Sequence, residues 1–286
     1  MPYLVLVSFI WAFSPGLIKG RLIGIDPTAV GVIRLALALV VFLPFFRPSG
    51  LRRSTILRLA LIGGVQFGLM YLMYLSAFAY LPAYAIALFT ITTPLYLVLI
   101  DATARRIWQT RYALAAFLAI AGAGLMVAKS GALGDAWLRG FLLVQVSNIC
   151  FAAGQIAWRR ERAKIPSTTS DAALFALPYL GAFLITVLVS TITTDWSELH
   201  FTPAHLVTLI YLGIIASGVA FFLWNLGASR VGTGTLAVLN NLKVPLTVAC
   251  SLFFFGEQAD LIRLTGSFIC FGLALIVAGR SPNGNV

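Results

Sequence analysis

The chain is written almost entirely in uninterrupted apolar runs of about twenty residues, the length at which one α-helix crosses the hydrocarbon core of a bilayer. Ten runs can be marked off by their breakers, at 3–21, 27–46, 57–79, 83–101, 111–129, 139–159, 171–193, 203–229, 234–255 and 261–280. They occupy most of the 286 residues and leave no stretch for a separate soluble domain. Apolar residues make up 60% of the chain and charged residues 10%, against roughly 45–50% and 25% in soluble domains. In water such a chain could not cover its surface with polar groups. An ordinary soluble enzyme, a disordered chain and a disulfide-stapled secreted scaffold are therefore excluded. The expected fold class is an all-α polytopic membrane protein. The N-terminus is apolar from Pro2 onward and has no basic leader, so the first run is read as a retained helix rather than a cleaved signal.

Breakers sit where helices should meet. Asp26-Pro27 ends one helix and opens the next, because proline suits a first helical turn. Leu81-Pro82 and Gly232-Thr233-Gly234 are tight enough to make antiparallel hairpins of their flanking runs. The three cysteines, Cys150, Cys250 and Cys270, lie inside apolar runs with no CxxC spacing, so neither a disulfide nor a zinc site is expected. No cofactor or metal is expected.

The formal net charge is +11. In a soluble protein that would point to nucleic acid; here the basic residues cluster in short loops, where they fix orientation instead. With the N-terminus inside, 13 of the 20 Lys and Arg fall in cytoplasmic segments, 5 fall outside, and Arg34 and Lys243 lie within runs. Both termini are thus expected in the cytoplasm of a bacterial cell, with the chain crossing the inner membrane many times. The lipid bilayer and a small molecule are the expected partners, nucleic acid is not, and monomer and homodimer both stay open.

The chain also repeats itself. At an offset of 151 residues, Tyr74-Leu75-Ser76-Ala77 falls on Asn225-Leu226-Gly227-Ala228, and Phe89 to Pro94 falls on Asn240 to Pro245. Near the ends the offset slips to 150, where Gly122 meets Gly272. Two units of five helices follow, 1–130 and 139–286. Five is odd, so the second unit must enter the membrane from the opposite side, giving ten transmembrane helices as two inverted five-helix repeats. In that architecture the binding site lies near the midplane between the halves. Pro94 and Pro245 are candidate helix breaks, since a mid-helix proline frees a carbonyl that must find a partner or face a polar cavity. The alternative for each is a packing kink.

Lys243 is the most informative residue. It lies deep in the ninth run, where a lysine costs roughly 2.5–3.5 kcal/mol on insertion scales. Asn240 and Thr247 share its face, so that face meets a cavity or the bundle interior rather than lipid. Its expected task is to bind a substrate carboxylate; the alternative is a structural lysine held by a freed carbonyl. Arg34 in the second run has apolar phase neighbours, and a structural role is at least as good a reading. Polar and aromatic residues recur at helical spacing in four further runs, through Trp11, Gln66 and Tyr74, Asn148, and Trp224 and Asn225. Lys243, Asn240, Trp11, Gln66, Tyr74, Asn148, Trp224 and Asn225 are the candidate substrate-binding set, with the aromatic members able to clamp an apolar group. For any single amide, bonding between helices is the competing role. Asp101 and Glu257 read as boundary charges, with a proton site as the sharper alternative. Tyr3, Trp108, Trp137 and Trp158 fall near run ends and read as interface aromatics. No GxxxxGK[ST], HExxH or GxSxG is present, so no catalytic residue is assigned.

These residues resemble a known family. Leu223–Ala228, Leu239-Asn240 with Val244-Pro245, Gly256-Glu257, and Gly266 followed by Gly272 are similar to the second repeat of EamA-type members of the drug/metabolite transporter superfamily. Ile10-Trp11, Asp26-Pro27, Arg34 and Pro94 carry the likeness in the first half. The resemblance implies ten helices in inverted repeats, efflux of small metabolites, often amino acids, and a cavity lined by the first, third, fourth, sixth, eighth and ninth helices. Two departures stand out: Arg105-Arg106 replaces the Gly-Glu of the first repeat, and Lys243 occupies a usually apolar or small polar position. The combined expectation is a secondary transporter, not an enzyme, that exports small carboxylate-bearing metabolites, amino acids first, by alternating access. The competing readings are an exporter of neutral or cationic drugs and a non-transporting membrane scaffold or enzyme subunit.

Overall fold

The computed structural model describes all residues except 48–49, 107–113, 116, 119–120, 123–124, 126–135, 232 and 280–286, and the backbone alone at 105, 233–235, 237–238, 275 and 278–279. Among the described residues there is no strand. Seven helices of the described residues are long and apolar enough to cross a membrane: α1 (Pro2–Arg21), α2 (Pro27–Phe45), α3 (Arg53–Ala79), α4 (Ala83–Ala104), α5 (Trp137–Arg162), α6 (Asp171–Thr193) and α7 (Pro203–Ala228). Two more, α8 (Thr233–Phe254) and α9 (Leu261–Gly279), contain shorter apolar stretches. These nine coincide with nine of the ten apolar runs. The fifth run, 111–129, and with it Trp108, Arg111 and Lys129, falls largely outside the described residues, as does Arg280.

The outer surface has the chemistry of a lipid-facing protein. Ile262, Ile192 and Phe253 are 86%, 84% and 83% exposed, among many other large apolar side chains. In water a surface of this kind would drive aggregation; in hydrocarbon it is the solvated state.

Local chemistry sets the helix ends. The Asp26 carboxylate accepts from Ala29 N–H at 2.8 Å, capping α2 ahead of Pro27. It also accepts from the Thr194 hydroxyl at 2.7 Å, which ties the start of α2 to the end of α6. His205 completes a capping box with Thr202 at the start of α7. α1 is interrupted at Phe13, just before Pro15.

Two helices depart from α-geometry in matching places. α3 is π-helical over Gly64–Leu69, and α7 over Tyr211–Val219. At the 151-residue offset the first stretch falls on 215–220 and overlaps the second half of the other. α4 narrows to a 3-10 turn at Thr90–Thr92, immediately before Pro94. Its pseudo-equivalent does not break: α8 is helical through Pro245, which supplies no N–H and so leaves the Asn241 carbonyl without its i+4 donor. The break expected at Pro245 is thus absent, because a helix can run through a single missing hydrogen bond.

α3 and α6 are in backbone contact. A Cβ on Gly181 would lie 1.8 Å from the Ala60 carbonyl oxygen, and one on Gly63 2.0 Å from that of Pro178. Small residues here let two helices approach where no water drives them together. Trp158 corrects an expectation. It is 1% exposed and stacks edge-on against Phe175 at 5.1 Å, so it belongs to the core and not to an interfacial belt.

Loops alternate between two faces. Lys19, Asp26, Asp195 and Glu198 line one crevice of about 610 Å³, mixed in charge with an acidic excess. Hydrogen bonds from the Ser197 hydroxyl and backbone N–H hold the Asp195 carboxyl below its ordinary value. Arg159, Arg160, Arg162, Lys164 and Arg230 line the other crevice, of about 960 Å³, with Asp101 and Asp171 among them.

Candidate functional site

Between these crevices lies a cavity of about 90 Å³. Trp11 and Pro15 of α1, Tyr71 and Tyr74 of α3, Thr90 of α4, Asn148 and Phe151 of α5, Phe221 of α7, and Lys243 and Thr247 of α8 all border it. Arg34 adds α2 to its wall. The six helices expected around the cavity all contribute, and the second helix joins them.

Lys243 reaches this space from α8. Its ammonium lies 5.0 Å from the Trp11 ring centroid, 5.4 Å from Phe151 and 5.9 Å from Trp224. Three aromatic faces stabilise a cation through their quadrupoles, each by roughly 0.5–2 kcal/mol. They offer no hydrogen-bond acceptor in the ring plane, and no carboxylate pairs with Lys243 among the described residues. The ammonium is therefore held in place with its three N–H bonds available. Trp11 is fixed by donating its indole N–H to the Ala216 carbonyl at 2.8 Å. It also packs on Trp224 at 5.0 Å and Phe221 at 5.1 Å.

Arg34 is 3% exposed. Its Nε donates to Ser217 Oγ at 3.1 Å and its Nη2 to the Tyr71 hydroxyl at 2.6 Å. The guanidinium also lies 4.4 Å from the Tyr71 ring centroid. Nη1 has no partner among the described residues. The π-helical turn of α7 makes this possible: Ser217 reaches back five residues to donate to the Leu212 carbonyl at 2.6 Å.

The 3-10 turn of α4 is satisfied from α5. Asn148 Nδ2 donates to the Phe89 carbonyl and to Thr92 Oγ1, both at 3.0 Å. Gln145 Oε1 accepts from Thr92 at 2.7 Å and Tyr96 at 3.1 Å. Asn148 thus borders the cavity while its amide N–H bonds hold a broken helix.

The other expected site residues divide. Lys243, Trp11, Tyr74 and Asn148 border the cavity. Trp224 stands one layer behind, fully buried, as part of the lysine's aromatic box. Gln66 and Asn225 do not border it: Gln66 Nε2 donates to Asn225 Oδ1 at 3.0 Å, so the two amides satisfy each other between α3 and α7. Asn240 is 1% exposed, lies outside the lining and has no hydrogen-bond partner among the described residues. Sequence reasoning left Arg34 open between a structural role and binding, and it did not name Tyr71 or Phe151. Of these two, Phe151 left a signal, being three residues beyond Asn148 on one face of α5. Glu257 also has a defined role: its two carboxylate oxygens accept from Ala83 N–H at 2.7 Å and Tyr84 N–H at 2.8 Å, capping α4. Among the described residues no three His, Cys, Asp or Glu side chains converge as a metal site.

Comparison with known proteins agrees with this architecture. The model of the EamA-like transporter family matches twice, over residues 1–128 and 138–279. The chain is 37% identical over 260 residues to a biotin transporter of Salmonella typhimurium (strain LT2), covering 90% of this chain and 86% of the relative. It is 36% identical to a biotin transporter of Escherichia coli (strain K12) over the same shares. It is 35% identical to a probable biotin transporter of Pseudomonas aeruginosa, covering 99% of this chain and 97% of that one. A solved crystal structure shares the fold with a TM-score of 0.66 at 17% identity, covering 97% of this chain and 96% of its own. An all-helical bundle of membrane-crossing helices, built around one central cavity and matched twice by a single family model, is thus a multi-pass transporter and not an enzyme: the chain belongs to the EamA-like transporter family.

Proposed function

We propose that this transporter carries biotin, or a closely similar carboxylate with a compact apolar body, across a bacterial plasma membrane. The observation that carries the reading is the uncompensated ammonium of Lys243, boxed by Trp11, Phe151 and Trp224 at the wall of the cavity. A substrate carboxylate takes its free N–H bonds, and the aromatic faces with Met70 and Phe221 hold the apolar part. The names of the relatives support biotin over other carboxylates.

Amino acids, the first expectation from sequence, fit less well. A zwitterion brings its own ammonium, and among the described residues the cavity wall presents two cations, Arg34 and Lys243, with no carboxylate. The same charge disfavours amines and cationic drugs. The units 1–130 and 139–286 rock about the cavity to expose it to each side in turn. The basic crevice and both termini face the cytoplasm, in keeping with the excess of Lys and Arg there.

The test is counterflow of labelled biotin in proteoliposomes, with amino acids and amines as competitors. Lys243→Met should lower biotin transport about 10- to 100-fold, the worth of a charge-assisted hydrogen bond of roughly 1.5–3 kcal/mol. Transport of amino acids by a protein that ignores biotin would overturn the reading.

A further inference from the structure

Arg34 has a geometry that a merely structural arginine does not need. The proton order of its network is fixed. Ser217 spends its single hydroxyl proton on the Leu212 carbonyl. The Tyr71 hydroxyl, 2.8 Å from Ser217 Oγ, must then donate to it. Both hydroxyl oxygens are left to accept from the guanidinium, one from Nε and one from Nη2. Two of the three nitrogens are engaged in holding the group in place. The third, Nη1, is buried without an acceptor, on a residue that borders the cavity. No Asp or Glu pairs with Arg34 among the described residues. A buried N–H left unmade is costly, and more so on a charged group. An acceptor that arrives with the substrate removes that cost.

The two cations of the cavity are not equivalent. A carboxylate prefers two parallel N–H bonds from an arginine fork, and here the fork formed by Nε and Nη2 is already spent on Ser217 and Tyr71, leaving Nη1 as the nitrogen with no partner. Lys243 offers three unspent N–H bonds. The carboxylate therefore belongs to Lys243, and Arg34 suits a neutral, strongly accepting oxygen at the substrate's other end. Resting on the biotin reading above, we propose that Arg34 is a specificity-determining residue whose Nη1 donates to the carbonyl oxygen of the substrate's cyclic urea, with Tyr71 and Ser217 as its positioning residues. The cavity thereby reads both ends of one molecule, and carboxylates lacking a urea oxygen are poor ligands.

The test is competition against labelled biotin on the purified full-length protein in nanodiscs, with three ligands: biotin, biotin methyl ester, and the same thiolane-pentanoic acid without the urea ring. In the wild type, loss of the urea should weaken binding about ten-fold or more. In Arg34→Gln, biotin should fall to the level of the urea-free acid, whose own binding is unchanged, while the preference for biotin over its ester persists. Lys243→Met should show the reverse pattern. Equal weakening of both acids by Arg34→Gln overturns the assignment. So does a wild type that binds the urea-free acid as tightly as biotin, a measurement that needs no variant to fold. Biotin binding with an unchanged urea preference in Arg34→Gln sinks this inference alone, whereas a wild type that binds no biotin sinks the transport reading with it.

Discussion

Glu257 joins the two halves of the chain, and its removal has a size that can be worked out. Gly256, at φ 66°, turns the chain at the end of α8 and delivers the carboxylate to the first turn of α4. Each bond from Ala83 and Tyr84 N–H to a charged acceptor is worth roughly 1.5–3 kcal/mol, and a carboxylate at a helix N-terminus adds about 0.3–1 kcal/mol. Glu257→Gln keeps one acceptor oxygen but loses the charge and sets an amide N–H₂ against a donor. For a half-buried group the net loss is about 2 kcal/mol, or about thirty-fold in an equilibrium. If the bonds exist only while this face is closed, that whole amount shifts the protein toward the state open on this side. The assay is labelling of Ser14→Cys, a cavity position, in a background free of Cys150, Cys250 and Cys270. An impermeant maleimide added from the α3–α4 loop side should react about thirty-fold faster in Glu257→Gln. An unchanged rate together with a lowered melting temperature would refute the reasoning, since the bonds would then persist through the cycle.

Two further substitutions test the packing and the opposite face. Gly181→Ala drives a methyl into the Ala60 carbonyl, where backbone meets backbone and nothing flexible can yield. It should cost about 1–3 kcal/mol and lower the melting temperature in detergent, whereas Gly272→Ala, with open space around it, should not. Glu161 is 3% exposed and binds Arg58 at 2.7 Å and Lys164 at 3.0 Å, linking α5 to α3 on the basic face. Both partners are largely exposed, so Glu161→Gln should cost only about 1 kcal/mol. Melting in high salt should narrow its difference from the wild type.

The helices were legible because lipid imposes one rule on every span: backbone groups must bond within the segment, so spans are long, apolar and bounded by breakers. Asp26-Pro27 and the break before Pro94 follow from side-chain chemistry confined to a few neighbouring residues. What stayed hidden depends on partners far along the chain. Arg34 looked structural because its own helix face is apolar. The groups that hold it, Tyr71 and Ser217, lie 37 and 183 residues away. Gln66 and Asn225 each looked like cavity residues, but their mutual bond spans 159 residues. Glu257 looked like a boundary charge because its ligands are backbone N–H groups, which have no signature in sequence. The π-helical stretches are likewise silent, since an i+5 register is chosen by packing and not by residue type.

Those stretches show how a duplicated scaffold holds an unduplicated site. In α7 four carbonyls of the stretch accept from side chains: Ala216 from Trp11, Ser217 and Gly218 from Tyr179 at 2.7 and 2.8 Å, and Leu212 from Ser217 itself. In α3 the equivalent stretch instead brings Gln66 against Gly154 and Asn225. The backbone irregularity is repeated while the chemistry hung on it differs. The cations follow the same rule. At the 151-residue offset Lys243 corresponds to Thr92, which is occupied with Gln145 and Asn148. Arg34 corresponds to Ile185, which packs against Gly64. Neither charge has a twin. A symmetric site would bind a molecule with two like ends, or bind an unsymmetrical one in two orientations. With an ammonium on one wall and the unpartnered Nη1 of a guanidinium on another, only one orientation of the proposed substrate satisfies both, so the unpaired cations make the two ends of the cavity chemically distinct where the repeat alone would make them alike.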